Sequence, residues 1–246
     1  MQPLISIIVP TFNSAKTLAS VLDSVMLQTY IYWECIVIDG ASHDNTVDII
    51  KAYHLRDSRF RYVSEVDSGI YDAMNKGWRL SVGEWVLFLG ADDTLLPYSL
   101  KVFSENIKYA DVIYGQCYLV LKNGMTKKRE NQRISVIKYR LPCSHQSVMM
   151  KKDVITQLDG FNTQYKVLAD FDLIQRAYFS GVKFREINEI FSCFYIGGIS
   201  TNNLSAEKER YLIMKNNKST SFPLFFVFVI LVKKILLKVK HNIIFL

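Results

Sequence analysis

Through the first half of the chain, short apolar runs alternate with segments of helical period. Leu4-Ile5-Ser6-Ile7-Ile8-Val9, closed by Pro10, predicts a buried strand. Leu18, Val21, Leu22 and Val25 follow at helical spacing, with Ser14 as candidate cap. Trp33 to Asp39 predicts a second strand. A helix through Val47, Ile49 and Ile50 comes next, capped by Asp44 or Asn45. Phe60 to Val63 reads as a third strand and Ile70 to Leu80 as a helix. Trp85 to Leu89 is too short for a helix of its own and rich in strand formers, so it reads as a strand buried on both faces. This alternation predicts an α/β fold with a doubly wound, mainly parallel sheet.

The rhythm then loosens. The pattern predicts a helix from about Tyr98 to Tyr109, a strand from Asp111 to Val120 and a hairpin turn at Asn123-Gly124. Beyond it come a strand over Ser147 to Met150, a short helix over Asp153 to Leu158, a helix over Asp170 to Tyr178 and a short strand over Phe184 to Ile187. No repeat or low-complexity linker divides the chain. Residues 1–221 are expected to form one domain, regular to about residue 120 and less regular from about 121.

Residues 222–246 differ. Leu224 to Val232 is wholly apolar but nine residues long, against the about 20 that a spanning helix needs. Beyond it Lys233, Lys234, Lys238 and Lys240 share one arc of a helix, and Ile235, Leu236, Val239 and Ile243 lie on the other side. That pattern predicts an amphipathic helix in a membrane interface, lysines toward anionic headgroups. The alternative is a helix packed on the domain.

Composition adds a few bounds. The 246 residues are 50% apolar, enough for a sizeable core, and carry a net charge of +7. Six lysines and no acid follow Tyr211, and Lys122, Lys127, Lys128, Arg129 and Arg133 form a second basic cluster. Such surface serves anionic lipid or phosphorylated substrates; without an RNA-binding aromatic motif or zinc spacing, no nucleic-acid partner is expected. Cys35, Cys117, Cys143 and Cys193 form no CxxC, which predicts free thiols in a reducing compartment. The first strand begins so early that no signal peptide is expected ahead of it.

Acids gather where strands end. Asp39 closes the second strand, Asp67 follows the third, Asp92 and Asp93 follow the fourth, and Asp170 and Asp172 open a later helix. Each alone reads as a cap. Several at one edge of a parallel sheet would converge on one crevice, and paired carboxylates suit a hard divalent cation.

These residues carry a resemblance. Val9-Pro10-Thr11-Phe12-Asn13, the run from Val37 to Thr46, the run from Asp67 to Gly77, Phe88 to Asp93, His145-Gln146-Ser147 and Gly197-Gly198-Ile199-Ser200 stand in order between about Ile5 and Thr201. The set resembles the family 2 glycosyltransferases, inverting enzymes of the Rossmann-like GT-A fold, in a form common among bacterial O-antigen and exopolysaccharide transferases. Two positions depart from the pattern. Many members have acids where Gly40 and Gly90 stand, which leaves the nucleotide contact at the first to Asp39 and the metal motif to Asp92 and Asp93.

The resemblance implies a UDP-sugar donor lying across the strand ends against Pro10, Thr11, Asn13, Asp39, Asp67 and Asp92. It implies Mn²⁺ or Mg²⁺ at Asp93, with Asp92 toward the ribose or a metal-bound water. Asp170 takes the place of the catalytic base, preferred to Asp172 on motif position. His145, Gln146, Asp172 and Gly198 fall in the acceptor region, where His145 would bind diphosphate, a sugar hydroxyl or metal. Tyr71 and Trp78 read as packing, and Lys76 and Arg176 as solvated or touching phosphate. The expected reaction moves a hexose, galactose or glucose, to a polyprenyl-diphosphate-linked sugar such as GlcNAc. Its place would be the cytoplasmic face of the bacterial inner membrane, peripherally bound. The competing reading is an inert nucleotide-sugar or lipid-binding relative, which has no need to keep Asp39, Asp93 and Asp170 together. A dinucleotide-dependent oxidoreductase is excluded, because Pro10-Thr11-Phe12-Asn13-Ser14 stands where G-x-G-x-x-G would be required.

Overall fold

The computed structural model describes residues 4–108, 110–196, 204–225 and 227–232. Tyr109, Gly198 with its neighbours, and the tail from residue 233 with its four lysines and their apolar counterparts lie outside the described residues.

The first half follows its hydrophobic pattern. Strands β1 (Ile5–Thr11), β2 (Trp33–Asp39), β3 (Phe60–Ser64) and β4 (Trp85–Phe88) alternate with helices α1 (Leu18–Met26), α2 (Thr46–Arg56) and α3 (Ile70–Leu80). The four strands pair in parallel in the order β3-β2-β1-β4, with Thr11 opposite Asp39 and Asp39 opposite Ser64. Side chains of successive strand residues go to opposite faces. Ile7, Val37 and Leu87 therefore pack with Leu22 and Val25 of α1 on one side, while Ile8, Ile38 and Phe88 pack with Met74 and Trp78 of α3 on the other. α1 does not take the expected side-chain cap, since Ser14 receives the Leu18 amide on its backbone carbonyl; at α2 the Asn45 side chain caps nothing, and Asp44 Oδ1 accepts the Thr46 amide at 3.0 Å.

Past β4 the sheet turns mixed. The two-residue strand β5 (Thr94–Leu95) and helix α4 (Ser99–Asn106) lead to β6 (Val112–Val120), β7 (Thr126–Arg129), β8 (Val148–Lys151), α5 (Lys152–Gln157), α6 (Ala169–Phe179), β9 (Phe184–Tyr195) and α7 (Leu204–Asn216). One sheet runs β3-β2-β1-β4-β8-β6-β9-β5, with β7 beside β6. β8 joins the parallel half antiparallel to β4 and β6, and β9 runs parallel to β6 through a shifted register at Tyr114 to Cys117.

Two expectations need correction. The strand at Phe184 continues to Tyr195 rather than stopping at Ile187, because the register shift lets the polar Asn188-Glu189 step pass without ending the pairing. Helix α7 was not foreseen, because Leu212, Ile213 and Met214 are adjacent rather than spaced along one face. Among the described residues no helix is long and apolar enough to cross a membrane.

Candidate functional site

The loop after β1 is built by the loop after β2. The amides of Asn13, Ser14 and Ala15 donate to Ser42 Oγ, Thr46 Oγ1 and Asp44 Oδ2 at 2.8, 2.8 and 3.1 Å. In return Asn13 Oδ1 accepts the His43 amide at 2.9 Å. Asn13 and Ala41 hold positive φ angles of 49° and 60° inside this lacing, a conformation most residues adopt only under such constraint. Pro10 and Thr11 are buried strand residues; Thr11 Oγ1 is buried with no hydrogen-bond partner among the described residues.

Asp39 is 0% exposed, and its carboxylate accepts from the Ser42 amide (3.0 Å), Ser42 Oγ (2.5 Å) and Ser64 Oγ (2.7 Å). It holds the crevice floor together. The carboxylate nearer solvent is Asp67, half-buried, whose Oδ1 accepts the Gly69 amide at 2.9 Å. Its Oδ2 lies 2.7 Å from where a Cβ on residue 40 would stand, with the Phe12 ring 3.4 Å from the same point. The missing acid at position 40 is thus replaced in space by Asp67, and Gly40 is what makes room for it.

Gly90 does the same at the end of β4. A Cβ there would meet Asp93 Oδ2 at 2.6 Å and Asp92 Oδ1 at 3.1 Å. Asp93 is 1% exposed; it accepts Gln146 Nε2 at 2.7 Å and the Tyr195 amide at 3.1 Å. Burial, and then the charge of Asp92, push its pKa up to about 7. Asp92 stands at the surface of the crevice, its own pKa raised by partial desolvation. Among the described residues neither acid forms an ion pair. Two carboxylates crowded together without a counter-charge fit a hard cation, whose oxygen-rich shell they would begin. No three His, Cys, Asp or Glu side chains among the described residues form a ready cage, so substrate oxygens would have to complete it.

A chain of contacts leads from Asp93 to Asp170. Gln146 shares a short helical turn, His145–Ser147, with His145. The His145 ring stacks on Phe88 of β4 (5.8 Å, 18°) and meets Phe161 edge-on. Burial lowers the imidazole pKa, opposed by the charge of Asp170, so the ring is held neutral. Phe161 stacks on Tyr71 of α3 at 5.4 Å. The Tyr71 hydroxyl reaches Val167 O at 2.8 Å and Asp170 Oδ1 at 3.2 Å.

Asp170 lies in the first turn of α6, where the helix dipole favours an anion. Its Oδ1 also accepts the Phe171 amide at 2.8 Å, while Oδ2 has no protein partner among the described residues. Asp172 is the opposite case. It is 3% exposed, with Arg176 Nε at 2.8 Å on one oxygen and Asn217 Nδ2 at 3.0 Å on the other. Its carboxylate is consumed by the packing of α6 against α7.

Contacts therefore link Asp93 and its neighbour Asp92 through Gln146, His145, Phe161 and Tyr71 to Asp170, while Asp67 stands beside Gly40 and Phe12, and Asp39 and Asp172 are buried. Arg176, read as solvated or touching phosphate, instead ties Asp172 to the carbonyls of Leu158 and Gly160. Lys76 pairs with Glu65 and Asp72. Tyr71, read as packing, makes the polar contact above. Its position one residue into α3, at the strand-end edge of the sheet, was the available signal.

Comparison with known proteins bears on the family and the fold. A PGL/p-HBAD biosynthesis glycosyltransferase of Mycobacterium bovis is 31% identical over 181 residues, which cover 72% of this chain and 70% of the relative. Staphylococcus aureus TarS 1-349, solved with UDP-GlcNAc, superposes with a TM-score of 0.73 at 20% identity, over 88% of this chain and 65% of that one. The mannosyltransferase PcManGT of Pyrobaculum calidifontis, solved with GDP-Man and Mn²⁺, gives 0.64 at 18% identity, over 88% and 63%. These likenesses identify the sheet and its helices as a GT-A fold. The family model described as Glycosyl transferase family 2 matches residues 6–169, and the chain belongs to that family.

Proposed function

We propose that this glycosyltransferase moves a hexose, galactose or glucose, from a UDP-sugar to a polyprenyl-diphosphate-linked sugar such as GlcNAc. The step would invert the anomeric centre and serve O-antigen, lipopolysaccharide or exopolysaccharide repeat-unit synthesis. The observation that carries this reading is the chain of contacts by which the uncompensated pair Asp92 and Asp93 is joined through Gln146, His145, Phe161 and Tyr71 to Asp170. TarS, solved with UDP-GlcNAc, supports the uridine nucleotide.

Asp67, with Thr11, Asn13 and the ring of Phe12, would face the nucleoside. Asp93 and Asp92 would hold Mn²⁺ or Mg²⁺, which when bound neutralises charge on the leaving diphosphate. Asp170 uses the unpartnered Oδ2 to take the proton of the acceptor hydroxyl as that oxygen attacks the anomeric carbon from the face opposite the nucleotide. A positioned base contributes about 10²–10⁴-fold. Neutral His145 donates one hydrogen bond and accepts another, which suits a sugar hydroxyl.

Peripheral binding to the cytoplasmic face of the bacterial inner membrane completes the proposal. Residues 223–225 and 227–232 are helical. Phe222, Leu224 and Phe228 are exposed there, while Val227 packs against the core. A polyprenyl acceptor is anchored in the bilayer, so exposed apolar side chains beside lysines would hold the crevice near its sugar.

The test is a panel of UDP-sugars offered with a synthetic lipid-diphosphate-GlcNAc. Transfer from UDP-Gal or UDP-Glc with inversion, lost in EDTA, is expected. A chain ending at Ser221 is expected to keep activity on a short soluble analogue, lose rate on a long-chain acceptor in anionic vesicles and no longer pellet with them. Nucleotide binding without transfer to any acceptor would overturn the enzymatic reading in favour of a binding module.

A further inference from the structure

The residues just ahead of Asp170 are held from a distance. Glu209, on α7, accepts the backbone amides of Lys166, Val167 and Leu168 at 2.8, 3.0 and 2.9 Å, the first on Oε1 and the other two on Oε2. One carboxylate therefore satisfies three consecutive N–H groups at the entry to α6, the last of them that of the N-cap residue Leu168. The carbonyl side of the same stretch is fixed from the other direction, where Val167 O accepts the Tyr71 hydroxyl. α7 is latched to this corner again by Asn217, which donates to Asp172 Oδ1 and Gln175 Oε1, and by Asn216, which donates to the Tyr165 hydroxyl. Fixing the α6 entry also fixes where Asp170 Oδ2 lies, because two covalent steps separate Leu168 from Asp170.

We propose that Glu209 is a positioning residue for the reaction. It clamps residues 166–168 so that Asp170 meets the acceptor hydroxyl in line, and it touches no substrate itself. The inference rests on the reading of Asp170 as the base. The bond count sets its expected size. An alanine at 209 leaves three amides unsatisfied and frees the loop, and a misplacement of about 1 Å at a reacting group costs about 10²-fold. A glutamine keeps one oxygen for the Val167 and Leu168 amides but turns its NH₂ toward the Lys166 amide, so it restores part of the loss. Nucleotide binding, built on the loops after β1 to β4, is untouched.

The experiment compares wild type, Glu209→Ala, Glu209→Gln, Asp170→Asn and the double variant Asp170→Asn/Glu209→Ala. UDP is the binding probe, and transfer is read with the UDP-sugar and lipid-diphosphate-GlcNAc pair that wild type uses. Glu209→Ala is expected to lower kcat by about 10- to 100-fold with KM for the UDP-sugar within about threefold, and Glu209→Gln to fall between it and wild type. In the Asp170→Asn background the alanine should cost almost nothing more, because there is no base left to place. Amide exchange at residues 166–168 should quicken in Glu209→Ala. An equal loss from Glu209→Ala with and without Asp170 would reduce Glu209 to a structural role and overturn the proposal, as would full turnover of Glu209→Gln and Glu209→Ala. Should Glu209→Ala fail to fold, the same comparison with Glu209→Gln in both backgrounds decides. Undiminished turnover of Asp170→Asn would instead sink the base assignment, a separate result.

Discussion

At the ends of β1 to β4 the acids stand where the backbone leaves them. Parallel pairing puts Asp39 beside Thr11 and Ser64, and two glycines, Gly40 and Gly90, leave volume for Asp67, Asp92 and Asp93. Around α6 the backbone decides less. Asp170 and Asp172 are two residues apart in one helical turn, yet one oxygen of the first has no partner among the described residues while both oxygens of the second are taken by Arg176 and Asn217. The first region shows position along a strand setting a side chain's task; the second shows its partners setting it.

The sharpest way to break the strand-end half of this contrast is Asp93→Ala. Metal-dependent transfer should fall below detection, while the variant stays folded, because the lost hydrogen bonds to Gln146 and Tyr195 are offset in part by removing a buried acid whose charge is desolvated. Full activity of this variant, or of wild type in excess EDTA, ends the metal assignment. In the α6 half, Asp170→Asn should lower turnover by about 10² or more and leave UDP affinity nearly unchanged. Asp172→Asn should instead lower stability and spare turnover. Losing one partner of a buried ion pair costs about 3–5 kcal/mol, read as an earlier urea midpoint with kcat of the folded fraction preserved. Should the two exchange phenotypes, the division of labour drawn between them is wrong.

Smaller effects sharpen the picture. Gly40→Asp restores the acid common in relatives but drives its Cβ against Asp67 Oδ2. UDP should bind about tenfold more weakly, a loss of about 1.4 kcal/mol, and Asp67→Gly in the same chain should recover most of it. No recovery would show that the two positions do not share one volume. The smallest expected effect is in pH. Burial holds the His145 pKa below its ordinary value. The neutral ring therefore contributes stability that is complete above the unfolded value and is lost as pH falls through the folded one. The melting temperature of wild type should drop more between pH 7.5 and 5 than that of His145→Asn; equal drops would show the imidazole is not desolvated.

Why the two regions differed in legibility follows from the same contrast. β2 and α3 have the boundaries their sequence predicts, because Trp33 to Asp39 is mostly apolar and buried throughout and Ile70 to Leu80 buries one helical face. The strand-end acids were readable for the same reason. α7 was not, since its buried Ile213 and Met214 are adjacent rather than spaced along one face, and its polar ties reach far in sequence: Glu209 bonds backbone 41 to 43 residues away, and Asn217, just past the helix, bonds Asp172 45 residues away. Tyr71 and Asp170 are 99 residues apart, and no local pattern announces a contact at that range. What the sequence supplied for Asp170 over Asp172 was motif position; what the structure adds is that Asp172 is bonded to Arg176 and Asn217.

The lacing of residues 13–15 by Ser42, Asp44 and Thr46 also has a consequence for the order of assembly. A chain made from its N-terminus has completed β1 long before those three acceptors exist. Until about the start of α2 has emerged, the amides of Asn13, Ser14 and Ala15 have only water to bond. The donor-side loop therefore takes shape only when β2 returns alongside β1 and brings its own loop with it, as one event in the folding of the nascent chain.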